Sequence, residues 1–300
     1  MNRPFTVFLG LMISISASAQ HVKKSGVIAK GAEIVRLAEG FAFTEGPAAD
    51  AQGNVYFTDQ PNNKVHIWTT KGELLTFLEN SGRANGLYFD KEGYLLSCSD
   101  MDNELWQIAP DRSHRVLLAA YDSVRLNGPN DLWLHPNGGI YFTDPLYVRP
   151  YWERSSDMQQ DGEHVYWLSP DRKELVRVAS DLVKPNGIVG TPDGSKLYIS
   201  DIGANKTYVY DIRTDGSLID KRLFVDLGSD GMTIDQKGNV YLTGDGITVF
   251  NSKGKEIEHV QVDAKWTANV CFGGAENKTL FITASEFLYS IEMKVKGSRK

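Results

Sequence analysis

Cysteine is almost missing from this 300-residue chain, which has only Cys98 and Cys271. There is no Cys-x-x-Cys, so thiol redox and thiolate metal readings lack their usual mark. Positive charge is also short: 32 Lys and Arg against 38 Asp and Glu leave a formal charge of −6. That balance excludes the electrostatic footprint of a nucleic-acid binder, the one basic run being the tail Lys294–Lys300. G-x-S-x-G, H-E-x-x-H and a phosphate loop are absent as well, which removes the usual anchors of serine-hydrolase, zincin and nucleotide chemistry. The six histidines, His21, His66, His114, His135, His164 and His259, show no ligand spacing. Of these only His164, after a long insertion, invites a catalytic reading.

Long apolar runs are confined to the N-terminus. "MNRPFTVFLGLMISISASAQ" has a cationic start at Arg3, an apolar stretch from Phe5 to Ile15 and a small-x-small end at Ala17-Ser18-Ala19. Residues 1–19 therefore read as a secretory signal, shorter than the ~20 apolar residues needed to span a bilayer. Residues 20–300 are expected to be an exported periplasmic or secreted monomer, without membrane or nucleic-acid partners. A hydrophobic share of 41% is enough for a sizeable core.

Helical periodicity is nearly absent, and what replaces it is repetition. Turn clusters such as Gln52-Gly53-Asn54, Glu92-Gly93, Asn137-Gly138-Gly139, Asp193-Gly194 and Lys237-Gly238-Asn239 each precede a similar strand. The strands read "NVYFTD", "YLLSCSD", "GIYFTD", "KLYISD", "NVYLTG" and "TLFITA". Ahead of each lies another strand, opened by Glu45, Asn85, Asn130, Asn186, Asp230 or Asn269, at intervals of 39 to 56 residues. Such periods predict an all-β, six-bladed β-propeller with four-stranded blades around a central channel. The third repeat is lengthened by an insertion at 147–164, and Val27–Leu37 is expected to complete the last blade.

Approximate sixfold symmetry brings the six strand-opening side chains to one axis. Asn and Asp are common in turns, where they bond the local backbone. Six polar residues at one equivalent position, with a Glu among them, exceed what turn chemistry selects. Glu45, Asn130, Asn186 and Asp230 offer two carboxylates and two amide oxygens, a hard donor set that suits Ca²⁺ first, then Mg²⁺ or Mn²⁺. Asn85 and Asn269 are left to reach the ion through water or to face substrate. Asp144 and Asp201, which end the second strands of blades three and four, are candidates to support Asn130 and Asn186. Asp131 stays open, an outward brace being one reading.

The segments "EGPAADAQGNVYFTD", "RLNGPNDLWLHPNGGIYFTDP", "KPNGIVGTPDGSKLYISD", "DGMTIDQKGNVYLTG" and "NVCFGG", in that order, resemble the senescence marker protein / gluconolactonase (regucalcin-like) family. The wording is nearest to its bacterial gluconolactonases, and the similarity runs from about Glu39 to Ile291. The resemblance implies one divalent cation, Ca²⁺ before Mg²⁺, Mn²⁺ or Zn²⁺, on Glu45, Asn130, Asn186 and Asp230. It also implies hydrolysis of a small lactone, with Arg125 near a substrate-binding Arg of the family. Where bacterial members are expected to carry a His after the second-blade strand, this chain has Ser99-Asp100-Met101.

The expected function is metal-dependent opening of a sugar lactone, with Asp230 as general base or nucleophile. A phosphotriesterase or arylesterase on the same metal, and a non-enzymatic binding propeller, remain as alternatives. Cys98 and Cys271 fall in blades two and six, which flank blade one, so they are expected to remain two separate buried thiols.

Overall fold

The structure, a computed structural model, describes residues 26–298, and the expected leader at 1–19 lies outside them. Among the described residues no helix is long and apolar enough to cross a membrane.

Among the described residues the chain forms six four-stranded antiparallel sheets and one two-stranded hairpin. Blade one comprises Thr44–Ala49, Val55–Asp59, Lys64–Trp68 and Leu74–Glu79. Blade two comprises Ala84–Phe89, Leu95–Ser99, Glu104–Ile108 and His114–Leu118. Blade three runs through Leu132–Leu134, Ile140–Asp144, His164–Leu168 and Leu175–Ala179. Blade four runs through Pro185–Gly190, Lys196–Asp201, Lys206–Ile212 and Leu218–Val225. Blade five is Met232–Ile234, Val240–Gly244, Gly246–Phe250 and Glu256–Val260.

The last blade takes Thr267–Gly273, Thr279–Ala284 and Phe287–Glu292 from the end of the chain, and its outer strand is Val35–Glu39 from the beginning. Val35 pairs with Ser290 and Glu39 with Phe287, and an isolated bridge joins Ile28 to Met293. The chain thus closes its own ring, as expected of Val27–Leu37, and the closure ties the two ends of the described chain together.

Burial explains why the second strands read as nearly continuous apolar runs. Ile140–Asp144 is buried at every position, because its two faces pack against neighbouring blades. The outer strands Leu74–Glu79 and His114–Leu118 are largely exposed and carry charged residues that discourage edge-to-edge pairing. Trp133 and Trp167 join the core between blades three, four and five, and Trp106 the core between blades one and two. Their recurrence is therefore packing.

Hydroxyls near the ends of the second strands lock four of the blades to the next. Thr58 Oγ1 donates to the carbonyl of Asn85 at 3.2 Å, Thr143 Oγ1 to that of Asn186 at 2.8 Å and Thr243 Oγ1 to that of Ala268 at 2.8 Å. In blade four the polarity is reversed, Ser200 Oγ accepting the Ser229 N–H at 2.6 Å. These buried bonds set the inner strands at fixed separations around the axis.

Candidate metal centre at the propeller axis

Glu45, Asn85, Asn186 and Asn269 lie on the inner strands of blades one, two, four and six. Asn130 and Asp230 each stand two residues ahead of the inner strands of blades three and five. Five of the six are buried and Asp230 is half-buried.

What brings them together is the residue that follows. A Cβ at Gly46 would lie 2.0 Å from the Asn85 carbonyl oxygen, at Gly86 2.7 Å from that of Asn130, at Gly187 2.7 Å from that of Asp230, and at Gly231 2.0 Å from Asn269 Cγ. Only glycine allows the inner strands to approach so closely. Gly86 N–H donates to the Asn130 carbonyl at 2.8 Å, joining two of these strands directly. The Glu-Gly, Asn-Gly and Asp-Gly pairs of the repeats are thus a polar donor followed by a packing gap.

Blade three departs from that pattern with Asp131, which turns inward. Its Oδ1 accepts the Leu132 N–H at 2.8 Å and its Oδ2 accepts Asn269 Nδ2 at 3.4 Å. Burial raises the Asp131 carboxyl to about 7, against the opposing pull of these donors. Asp131 and Asn269 both line a cavity of about 80 Å³ that continues among Leu132, Ile188, Met232 and Phe272.

Asn186 and Asp230 meet directly, Asn186 Nδ2 donating to Asp230 Oδ1 at 2.8 Å and also to Tyr147 Oη at 2.8 Å. Trp266 Nε1 holds the second carboxylate oxygen, Oδ2, at 2.6 Å. Glu45 Oε2 accepts its neighbour's Gly46 N–H at 2.8 Å. Burial, and then repulsion from Asp230, hold the Glu45 carboxyl well above the usual carboxylate range. Asp230 is raised by burial as well, opposed by Trp266, Asn186 and Arg149. Burial and this repulsion favour the protonated carboxyls, and a bound cation would compete with protons for the same oxygens.

The Asn130 backbone is fixed by its N–H on the Thr143 carbonyl at 2.9 Å, while no hydrogen bond to its carboxamide is found among the described residues. No three His, Cys, Asp or Glu side chains cluster as a metal site among those residues, so this set of two carboxylates and two amides is the one to test. It fits a hard divalent cation: the donors are oxygens, the two acids match its charge, and neither acid is paired with a basic side chain.

Asp144 and Asp201 act on the backbone leading into the site. Asp144 accepts the N–H groups of Asn127 and Gly128 at 2.9 and 2.8 Å, and Asp201 those of Val183 and Lys184, both at 2.9 Å. Asp59 does the same for Ala42 and Phe43 in blade one. Each carboxylate holds the approach two or three residues upstream of Asn130, Asn186 or Glu45.

The insertion covers the mouth. Trp152 Nε1 donates to Asp100 Oδ2 at 2.9 Å, and Arg154 Nη2 donates to the Asn127 carbonyl at 2.7 Å and lies 3.5 Å from Asp100 Oδ1. His164 Nε2 lies 2.9 Å from Asp161 Oδ1 at the start of its strand, with no bond to the ring residues. The Arg125 side chain is exposed on the hairpin Ala120–Tyr121 and Val124–Arg125, whereas Arg149 is the arginine whose charge acts on Glu45 and Asp230. Tyr147, Arg149 and Trp266 lie outside the repeat register, so no periodic signal marks them.

The fold is a six-bladed propeller in which Asn186 bonds Asp230 and Asn269 bonds Asp131 between blades. The chain belongs to the SMP-30/gluconolactonase/LRE-like family, whose region matches residues 43–286. It is 29% identical over 197 residues to a gluconolactonase of Zymomonas mobilis, a match covering 60% of this chain and 55% of that one, so it spans about half the length of that relative. A solved gluconolactonase of Xanthomonas campestris is 30% identical, with a TM-score of 0.83 over 87% of this chain and 90% of that one. Regucalcin from Agrobacterium tumefaciens, solved as a calcium-binding protein, shares the fold at 19% identity, with a TM-score of 0.73 over 87% of this chain and 94% of that one.

Proposed function

We propose that the protein hydrolyses a sugar lactone with the help of one divalent cation, calcium before others, held by Glu45, Asn130, Asn186 and Asp230. The observation that supports this reading is the carboxylate pair of buried Glu45 and half-buried Asp230, where Asp230 disfavours charge on Glu45 and accepts Asn186 Nδ2 at 2.8 Å. The gluconolactonase names of two relatives and the calcium-binding description of a third support it.

The cation supplies Lewis-acid polarisation of the ester carbonyl. The chain supplies orientation and proton transfer. Asp230 is the general base: bonds from Asn186 and Trp266 fix both of its oxygens, so its carboxylate plane is set before substrate arrives. Water adds to the carbonyl carbon as Asp230 takes one of its protons, and the ring C–O bond breaks as Asp230 returns that proton to the ring oxygen, which leaves as an alcohol. The product is a hydroxy acid, released as its carboxylate with one net proton. The insertion, anchored on Asp100, Asn127 and Asn186, limits bulk water at the mouth.

Turnover of glucono-1,5-lactone by the calcium-loaded protein, compared with an organophosphate and an aryl ester, tests the assignment. Lactone hydrolysis that EDTA abolishes and calcium restores is expected. A calcium-loaded protein that opens no lactone in a panel of ring sizes sinks it.

A further inference from the structure

Four cationic side chains stand in or against the insertion, Arg149 and Arg154 within it and Arg83 and Lys184 packed on its Tyr151 and Tyr147 rings, and three of them are engaged. Arg154 is taken by Asp100, by the Asn127 carbonyl and by the Trp152 ring 3.4 Å below it. Lys184 is bound by Glu163 at 3.3 Å and by the Leu146 carbonyl at 2.9 Å. Arg83 bonds the Pro61 carbonyl and lies 4.3 Å from the centre of the Tyr151 ring.

Arg149 differs. Its guanidinium lies 5.0 Å from the centre of the Tyr147 ring, and Tyr147 Oη is bonded to Asn186, which in turn holds Asp230. Its Nε is buried with no hydrogen-bond partner, and no hydrogen bond from the guanidinium to another described residue is found. The guanidinium is half-buried and forms no ion pair or hydrogen bond with another described residue, so its fork is free to take the oxygens of a ligand.

The charge arithmetic identifies the ligand. A divalent cation offsets Glu45 and Asp230, and Asp100 already has Arg154. The Arg149 charge acts on Asp100, Glu45 and Asp230, yet no ion pair joins it to any of them among the described residues, so its fork is left for a ligand. Hydrolysis creates one anion there, because ring opening converts a neutral ester into a carboxylate. Its two oxygens match a planar guanidinium bidentately. We infer that Arg149 binds the carboxylate formed on lactone opening, drawing the product's charge toward the insertion and off the metal site. The inference rests on lactone hydrolysis as the reaction.

The test is calorimetric binding of gluconate, and of neutral glucitol as control, to the calcium-loaded protein at fixed free calcium. Arg149→Met and Arg149→Lys are compared with the unaltered chain, and calcium binding is measured for each. Gluconate binding is expected to weaken about tenfold or more in Arg149→Met and by less in Arg149→Lys, with glucitol unaffected. In turnover, gluconate should inhibit the variants correspondingly less. Unchanged gluconate affinity in both variants, with altered calcium affinity, would make Arg149 a counter-charge for Glu45 and Asp230 and overturn the inference. Failure of the unaltered protein to bind gluconate at all overturns it too. A protein that binds gluconate through Arg149 yet opens no lactone would instead defeat the functional reading and leave the carboxylate site standing.

Discussion

Asn269 and Asp131 join across the propeller axis, Asn269 Nδ2 to Asp131 Oδ2 at 3.4 Å, although 138 positions separate them in sequence. Asn269 also accepts the Val270 N–H on its Oδ1 at 2.8 Å, so its amide is engaged at both ends. This makes it a brace between blades three and six rather than a group left open to substrate.

Asn269→Ala removes one of the donors to a buried carboxylate, a loss of about 1–3 kcal/mol. The expected result is a lower melting temperature with KM for lactone unchanged. A raised KM at constant melting temperature would place Asn269 on the substrate instead.

Gly231→Ala tests the packing gap behind the site. Its Cβ would come 2.0 Å from Asn269 Cγ, and Asn269 cannot retreat without breaking its bond to Asp131. Overpacking of this kind costs about 1–3 kcal/mol. Denaturant unfolding of Gly231→Ala should show that loss, and a variant as stable as the parent would mean the inner strands can spread.

The ring was legible because symmetry writes it repeatedly. A hydroxyl residue followed by Asp closes the second strand in four blades and a polar residue stands before glycine in four, and each copy supports the others. Asp131 was not legible, since it stands where four other blades have glycine and nothing local says whether it turns in or out. Tyr147, Arg149 and Trp266 belong to segments without a repeat partner, so only the folded chain shows that they reach Asn186 and Asp230. The cysteines divide similarly. Cys98 and Cys271 form no disulfide, as their blades implied, but Cys271 is half-buried where full burial was expected.

Cys98 should be inert in the native protein. It is fully buried, and burial pushes its thiol well above the ordinary range, so little thiolate forms at neutral pH. Alkylation followed by mass spectrometry should label Cys98 only after unfolding, and rapid labelling under native conditions would contradict the packing of blade two.

The pH dependence of stability should change character with calcium. Burial raises Glu45 and Asp230 in the metal-free protein and brings Asp131 and Asp144 to about 7. Carboxyls raised above their unfolded values favour the folded state while protonated. Their stabilisation is therefore present below about pH 4 and is lost as pH rises through about 7. Calcium competes with protons for Glu45 and Asp230, so its affinity should increase over the same range. Melting curves with EDTA should fall from pH 5 to 8, and the gain on adding calcium should widen. A calcium effect independent of pH would show that the ion is not held by these carboxylates.

Trp266→Phe separates orientation of the base from ligation of the ion. Trp266 is 38% exposed, so the ring contributes modestly to packing, yet its indole N–H holds Asp230 Oδ2 at 2.6 Å. A hydrogen bond to a charged group is worth about 1.5–3 kcal/mol. If that bond sets the plane of the base, kcat should fall about tenfold or more while the melting temperature barely moves. Asp230→Asn, which removes the base and one negative ligand together, should cost about a hundredfold or more and also weaken calcium binding. Equal losses in calcium affinity for both variants would mean that Trp266 acts through the ion. Full activity in Trp266→Phe would mean that Asn186 alone is enough to orient Asp230.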